Sequence, residues 1–333
     1  SVNQVERVLG VGNRGVPAVP AVAWQPEPVP SVCRLIVDAL RDQLADIRQL
    51  PALLGQTFRS LRRIYLRTRV RPLDVALPGN VPATPFNRSL CGQRDFASLR
   101  FALADFKAIK DGLGGTVNDA VLAVVAGALR GYLLARHQLP EKPLVASVPA
   151  AGVEEDGSQR VFGNMASGVT IYLRTDIGDP RQRYAATREA MAAGKELLEL
   201  LGRNTFHSWA SYIPPLLYTA LQRLKVHFRL AERGGSAMNL IVSNVPGPRY
   251  DRPLADFEVE ELYSGGPLLE GVGLNVTAWS YREQLNFGLV ACRRAVPDLP
   301  ELAGLLREED ATLLNRARQA RHAEPAAPAR PGK

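Results

Sequence analysis

Two polar clusters in this chain carry side chains that could orient a substrate or stabilise a developing negative charge. Thr116-Val-Asn-Asp119 opens the apolar run Ala120–Leu129, and Ser243-Asn244 closes the run Asn239-Leu-Ile-Val before Val-Pro-Gly-Pro248. Acyl transfer develops an oxyanion that needs preorganised hydrogen-bond donors, and small polar residues at a strand end beside a cleft meet that need. The Ser243 hydroxyl and the Asn244 amide are candidate donors, and Asn118 is a candidate to orient a substrate or a partner catalytic group. Each cluster also has an architectural explanation. Thr116 can cap a helix, with Asp119 in the first turn where the helix dipole favours an anion. Pro246-Gly247 is a good type II turn pair. A third block, Gly266–Tyr281, contains Gly271 and Gly273, which permit close backbone approach, and ends in Ser280-Tyr281.

Other chemistries lack their residues. The four histidines, His137, His207, His227 and His322, are never adjacent, and no Ser-His-Asp set can be assembled from them. His207, in Phe206-His-Ser-Trp209, reads as an ordinary packed or surface group. No GxSxG, GxGxxG or P-loop sequence occurs. Cys33, Cys91 and Cys292 are odd in number and widely spaced, so they define no disulfide framework and fit a reducing cytoplasm. Without a CxxC pair, no metal site is expected.

The elements that would position these residues alternate along the chain. Val11–Pro30 is a linker kept extended by Pro17, Pro20, Pro26, Pro28 and Pro30. Ser31 can cap a helix in which Leu35, Ile36, Ala39, Leu40, Leu44 and Ile47 recur at helical spacing. Pro51 should restart the chain into a second helix reaching about Thr68. There Arg59, Arg62, Arg63, Arg67, Arg69 and Arg71 interleave with Phe58, Leu61, Ile64, Tyr65 and Leu66. Such a basic amphipathic helix either lies on an anionic membrane or forms a solvated face. Strands are predicted at Leu99–Ala104, Pro143–Pro149, Ser167–Arg174, Met238–Ser243, Val259–Leu262, Leu274–Ser280 and Leu285–Cys292, the last two as a hairpin. Helices are predicted at Asp105–Gly112, Val117–Arg136, Pro180–Leu200, Pro297–Ala320 and across 204–232 with a break at Pro214-Pro215. Arg181, Arg183, Arg188 and Lys195 should lie mostly outside. The result is an α/β chain with a mixed sheet.

The 333 residues are 46% hydrophobic and 22% charged, enough apolar material for a sizeable core. Net charge +8 favours anionic partners. No zinc-finger spacing or aromatic RNA-binding signature accompanies that charge, so nucleic acid is not an expected partner. No apolar run reaches the roughly 20 residues of a membrane span.

The block Gly114-Gly-Thr-Val-Asn-Asp-Ala-Val-Leu-Ala-Val-Val-Ala-Gly-Ala-Leu-Arg-Gly-Tyr-Leu133, followed by Ser243-Asn-Val-Pro-Gly-Pro248, resembles the C-terminal half of the bacterial wax ester synthase/diacylglycerol acyltransferase family. The likeness runs from about Trp24 to Leu314, and Ala23-Trp-Gln-Pro-Glu-Pro-Val-Pro-Ser31 resembles the proline-rich connector between the family's halves. One departure is clear: Ser147-Val-Pro149 stands where the family shows Pro-Val-Ser-x-Arg, without the arginine.

The resemblance implies a chloramphenicol acetyltransferase-like fold of CoA-dependent acyltransferases, a mixed-sheet sandwich whose two subdomains face each other across a tunnel. It implies a histidine of an HHxxxDG motif as general base, apt because its pKa lies near working pH. Ser1–Leu9 is similar to the helix after that motif, so the chain is expected to be the C-terminal portion of a longer enzyme, inactive without its N-terminal HHxxxDG half. Residues 1–30 would then end the first subdomain and form the linker, 31–85 a helical connector, 86–320 the C-terminal subdomain and 321–333 a frayed tail. The implied catalytic contributions come from Asn118, Ser243 and Asn244, and the groove is floored by Asp119, Gly247, Gly273, Asn275 and Ser280. Acyl-CoA is the implied co-substrate, with no bound cofactor. Diacylglycerol or a fatty alcohol is the acceptor, at the cytoplasmic surface of a membrane or lipid droplet. A non-catalytic lipid- or partner-binding module of the same fold is the alternative.

Overall fold

Ser31 ends the proline-rich segment and caps the first helix, its Oγ accepting from the Arg34 amide at 3.3 Å. In the computed structural model of the chain this helix, α1, runs Val32–Val70 with Pro51 inside it. The expected restart at Pro51 does not occur. A proline removes one helical hydrogen bond, and a helix of 39 residues supplies many others on both sides. The structure describes residues 28–76, 80–151, 166–202, 205–210, 212–233, 236–247, 253–254 and 257–323. The expected helix Val2–Leu9, most of the linker and the tail beyond Ala323 lie outside them.

The strands are β1 (Arg94–Ala102), β2 (Val145–Ala151), β3 (Ala166–Tyr172), β4 (Leu240–Val245), β7 (Leu274–Tyr281) and β8 (Gln284–Cys292), with a small hairpin of β5 (Pro253–Leu254) and β6 (Phe257–Glu258) apart from them. The main sheet has the order β1-β8-β7-β4-β2-β3. Its middle is parallel, with β2 beside β4 and β4 beside β7, and its flanks are antiparallel. Helices α2 (Leu103–Leu113), α3 (Val117–Leu134), α4 (Pro180–Leu201) and α7 (Leu299–Ala323) close one face, and one apolar core forms between them and alternate strand residues such as Leu240, Val242, Val276, Ala278 and Phe287. Two shorter helices, α5 (Thr205–Ala210) and α6 (Pro215–His227), join α4 to β4. α3 is long and apolar enough to cross a bilayer, yet 72% of it is buried in this core.

The predicted strand Val259–Leu262 is not one. Its segment crosses the second face of the sheet, where side chains take its carbonyls: Tyr281 Oη donates to Val259 O at 2.9 Å and Asn286 Nδ2 to Leu262 O at 3.1 Å. An apolar, extended stretch can thus be held without a ladder. Arg183 of α4 is also not outside. It is 3% exposed and paired with Glu309 of α7, because a charge this deep needs a partner.

Two buried amides pin the sheet to the chain that precedes it. Asn239 pairs with Val145 through its own amide (2.8 Å) and its Oδ1 (2.8 Å), and its Nδ2 reaches Pro82 O and Asn87 Oδ1 at 2.8 and 2.6 Å. Asn87 Nδ2 then donates to Met238 O and Gly271 O, both at 2.9 Å. Asn239→Ala leaves several of these groups buried and unpaired, and should cost about 2–4 kcal/mol in urea denaturation.

A second buried group sets a pH dependence. Asp310 of α7 is 8% exposed, its Oδ1 has no hydrogen-bond partner among the described residues, and burial, aided by the nearby Asp105 of α2, pushes its carboxyl up to about 7. Unfolded, it titrates near 4. The folded state therefore holds this proton more tightly, so the group's contribution is complete below about pH 4 and is lost as pH rises through about 7. Asp310→Asn should flatten that loss, worth up to roughly 3 kcal/mol, when denaturation is compared at about pH 5 and about pH 8.

Candidate active-site edge

β4 and β7 run parallel and end on the same edge of the sheet, with Ser243 opposite Thr277, Asn244 opposite Ala278 and Val245 opposite Trp279. Side chains alternate along a strand, so neighbouring residues face opposite ways. Asn244 shares the helical face with Ala278, a core residue, and Ser243 shares the other face with Thr277. The two candidate donors therefore serve different sides of one edge. Neither side chain has a hydrogen bond among the described residues.

The turn after β4 is held against the end of β7. Gly247 N donates to Ser280 Oγ at 2.9 Å, and a side chain at Gly247 would collide with the Ser280 carbonyl and the Trp279 indole. This close approach fixes where the edge ends. Ser280 is thereby engaged as the anchor of the turn.

Asn118 stands in the first turn of α3, on the helical side of the sheet. At the far end of that helix, Arg136 grips Asp298 and Glu301 at 3.0 and 2.6 Å, beside the start of α7 and the end of β8. Gly131 lies against Leu305 and Gly127 against Glu309, so α3 and α7 run antiparallel. Eighteen helical residues span about 27 Å, so the first turn of α3 lies that far from the Arg136 end, beside Tyr184 and Arg188 of α4. Asn118 is half-buried and makes no side-chain hydrogen bond among the described residues.

Asp119 has a defined structural task. Its Oδ2 accepts from the Thr116 amide and hydroxyl, both at 2.8 Å, while Thr116 Oγ1 accepts from the Asp119 amide at 3.3 Å. That is a capping box, and it leaves Asp119 5% exposed. Asn275 and Gly273 lie away from the edge, about 17 and 23 Å along β7 from Ser280. Asn275 Nδ2 binds Pro267 O at 3.3 Å and its Oδ1 accepts from Thr277 at 2.9 Å. Gly273 N donates to Phe86 O at 2.7 Å and Gly273 O accepts from Cys292 N at 2.9 Å. The structure brings Ser243, Asn244, Gly247 and Ser280 to the shared end of β4 and β7, keeps Asn118 on the first turn of α3, and sets Gly273 and Asn275 apart.

Two residues of α4 hold the glycines before α3: Tyr184, which the sequence did not single out, and Arg188, which was expected mostly outside and is half-buried. Tyr184 Oη donates to Gly114 O at 2.7 Å, with its phenol pushed up to about 12 by burial and by Asp119. Arg188 donates to Leu113 O at 3.2 Å and lies against Gly114 and Gly115. Their spacing on α4 signals only a helix face, so nothing local pointed to the glycines 70 positions away. His137 stands at the opposite end of α3, and His227 packs its ring on Phe228. The side chains of His207 and His322 lie outside the description. Among the described residues, no group of three or more His, Cys, Asp or Glu is placed to hold a metal.

The six-stranded mixed sheet with helices on one face is that of the chloramphenicol acetyltransferase-like, CoA-dependent acyltransferases. Two family models match the chain: the wax ester synthase/diacylglycerol acyltransferase catalytic domain over residues 12–121, and the WS/DGAT C-terminal domain over residues 162–311. The chain belongs to the wax ester synthase/diacylglycerol acyltransferase family. The match to the catalytic-domain model corrects the expectation of a C-terminal portion alone, and it ends inside α3, just past Asn118.

Relatives place it further. A Mycobacterium tuberculosis protein named as a diacylglycerol O-acyltransferase is 37% identical over 288 residues, covering 86% of this chain and 60% of its own. The O-acyltransferase WSD of Acinetobacter baylyi is 33% identical over 228 residues, covering 68% and 48%. The solved wax ester synthase/diacylglycerol acyltransferase of Marinobacter aquaeolei VT8 superposes with a TM-score of 0.55 at 28% identity, covering 80% of this chain and 58% of that one. The chain thus spans about half to three-fifths of the length of these relatives.

Proposed function

We propose that the chain works in acyl-CoA-dependent O-acyl transfer, making triacylglycerol from diacylglycerol or wax ester from a long-chain alcohol. The observation that carries this reading is the edge itself. Ser243 and Asn244 stand where two parallel strands end, their side chains without hydrogen bonds among the described residues, in a family named for this reaction. In the proposed step an alcohol gives up its proton and its oxygen attacks the thioester carbonyl. The tetrahedral oxyanion then collapses, the C–S bond breaks, and CoA leaves as the thiol. Neutral amide donors such as Asn118 and Asn244 suit that oxyanion, because they are preorganised by a helix cap and a locked turn. The HHxxxDG sequence does not occur among the 333 residues. The reading therefore assigns proton acceptance to a histidine on polypeptide beyond them.

The substrates are lipids, and the outer helices support contact with a lipid surface on the cytoplasmic side. α1 exposes Leu54, Phe58, Leu61, Tyr65 and Leu66, and Arg59, Arg62 and Arg63 line, with Gln56 and Leu66, an open cavity of about 530 Å³. None of these three arginines has a carboxylate partner among the described residues. α6 adds exposed Leu216, Leu217, Tyr218, Leu221 and Leu224. Apolar side chains beside unpaired cations favour an anionic bilayer or droplet.

Two measurements test the reading. The intact gene product, assayed with acyl-CoA and a panel of alcohols, should lose about 100-fold in kcat on Asn118→Ala, the scale of one missing oxyanion donor. Unchanged kcat in the variant would return Asn118 to the helix cap alone. Arg62→Ala should weaken co-sedimentation with anionic vesicles severalfold, with the difference shrinking at high salt. Equal binding to neutral vesicles would remove the electrostatic part of the proposal.

A further inference from the structure

The cysteines, scattered in sequence, do not remain so in the fold. Cys91 lies just before β1 and Cys292 is the last residue of β8, and their sulfurs stand 3.2 Å apart. All three cysteines are free thiols here, and Cys33 is exposed on α1. The Cys91 amide donates to Cys292 Sγ at 3.3 Å, which holds the second sulfur in line. A disulfide needs about 2.05 Å between sulfurs, so the pair must close by only about 1.2 Å. Cys91 has the freedom to do so. It lies outside the strand, is part-exposed, and is followed by Gly92, around which there is open space. Cys292 is fully buried and cannot meet a bulky reagent first.

We propose that Cys91 and Cys292 form a redox site: a peroxide oxidises Cys91, and Cys292 resolves it into an internal disulfide that staples β1 to the end of β8. The reaction balances. The Cys91 thiolate attacks one oxygen of hydrogen peroxide, the O–O bond breaks, and a sulfenic acid and water result. Cys292 sulfur then attacks the sulfenic sulfur, the S–O bond breaks, and a second water leaves. In sum, two thiols lose two protons and two electrons, and the peroxide accepts both.

The attacking role belongs to Cys91 on two grounds. It is the reachable thiol of the pair. Its thiol is also pulled down to about 7, first by the Arg294 backbone hydrogen bond, then by the hydrogen bond with Cys292. An ordinary cysteine titrates near 8.5. The bond would close a loop across 201 positions and lock the outer strand pair. Cys292 also donates its amide to Gly273 O, so the staple would sit beside the contact that seats β7.

The experiment uses the full 333-residue chain, reduced, freed of reductant, and treated with hydrogen peroxide. After alkylation and digestion, the Cys91 and Cys292 peptides should appear linked, two hydrogens lighter than their sum, with Cys33 alkylated. The linking rate should reach half its maximum near pH 7, following the Cys91 thiol. Cys91→Ser should abolish the link, and Cys292→Ala should let a sulfenic acid on Cys91 accumulate for capture by dimedone. The oxidised chain should melt higher than the reduced one by on the order of 5 °C, a rise absent in Cys91→Ser. Recovery of both thiols alkylated, a link through Cys33, over-oxidation of Cys91 without a link, or a rate that rises only above about pH 8.5 would each overturn the proposal.

Discussion

The pairing of Asn239 with Val145 governs where the reactive edge ends up. Asn239 meets Val145 with both backbone and side chain, and its amide group is shared with Asn87 and Pro82. Buried amides of this kind are stable only when every donor finds its acceptor, so the network tolerates one arrangement. β4 starts at the next residue. From there the faces of Ile241, Val242, Ser243 and Asn244 follow by alternation alone. A slip of one residue would move Asn244 off the helical face and put Ser243 there. Residues with no chemical role, one strand length upstream, thus decide which polar group faces the helices.

Periodicity made much of this legible. The runs Leu274–Ser280 and Leu285–Cys292, with a turn between them, were enough for the hairpin that the structure forms from Leu274–Tyr281 and Gln284–Cys292, and the unbroken apolar run after Asp119 was enough for a buried helix. The Thr116 cap was legible too, because a capping box is local. What stayed hidden depends on contacts between distant positions. Val259–Leu262 reads as a strand, yet its carbonyls bind the side chains of Tyr281 and Asn286. Arg183 reads as a solvent-facing charge on α4 until Glu309, 126 positions later, arrives beside it. Pro51 reads as a break, although a long helix absorbs one missing hydrogen bond.

The candidate site shows the same division. Ser243 and Asn244 are adjacent in sequence and read as one pair of donors, but a strand sends neighbours to opposite faces. Gly247 reads as turn chemistry, and it is that, but the turn matters because it presses on Ser280 and Trp279. Asn275 and Gly273 sit in a block that resembles a groove floor. In the fold they hold Pro267, Thr277, Phe86 and Cys292 in place near the start of β7.

The electrostatics of α3 narrow what the edge can offer a reacting group. A helix N-terminus carries partial positive charge that favours an anion in the first turn. Here that position is already taken, since Asp119 closes back onto Thr116 and is nearly buried. The dipole is largely spent on the protein's own carboxylate, and a second anion would meet repulsion from it. Stabilisation of a developing oxyanion must then come from short-range neutral donors rather than from the helix field. Asn118 fits that requirement, lying beside Asp119 yet outside the capping box. An aspartate could not replace it, whereas the amide can donate without adding charge. In the proposed reaction the cap therefore has two effects. It holds the first turn rigid, and by using up the dipole it leaves specificity to the geometry of single hydrogen bonds.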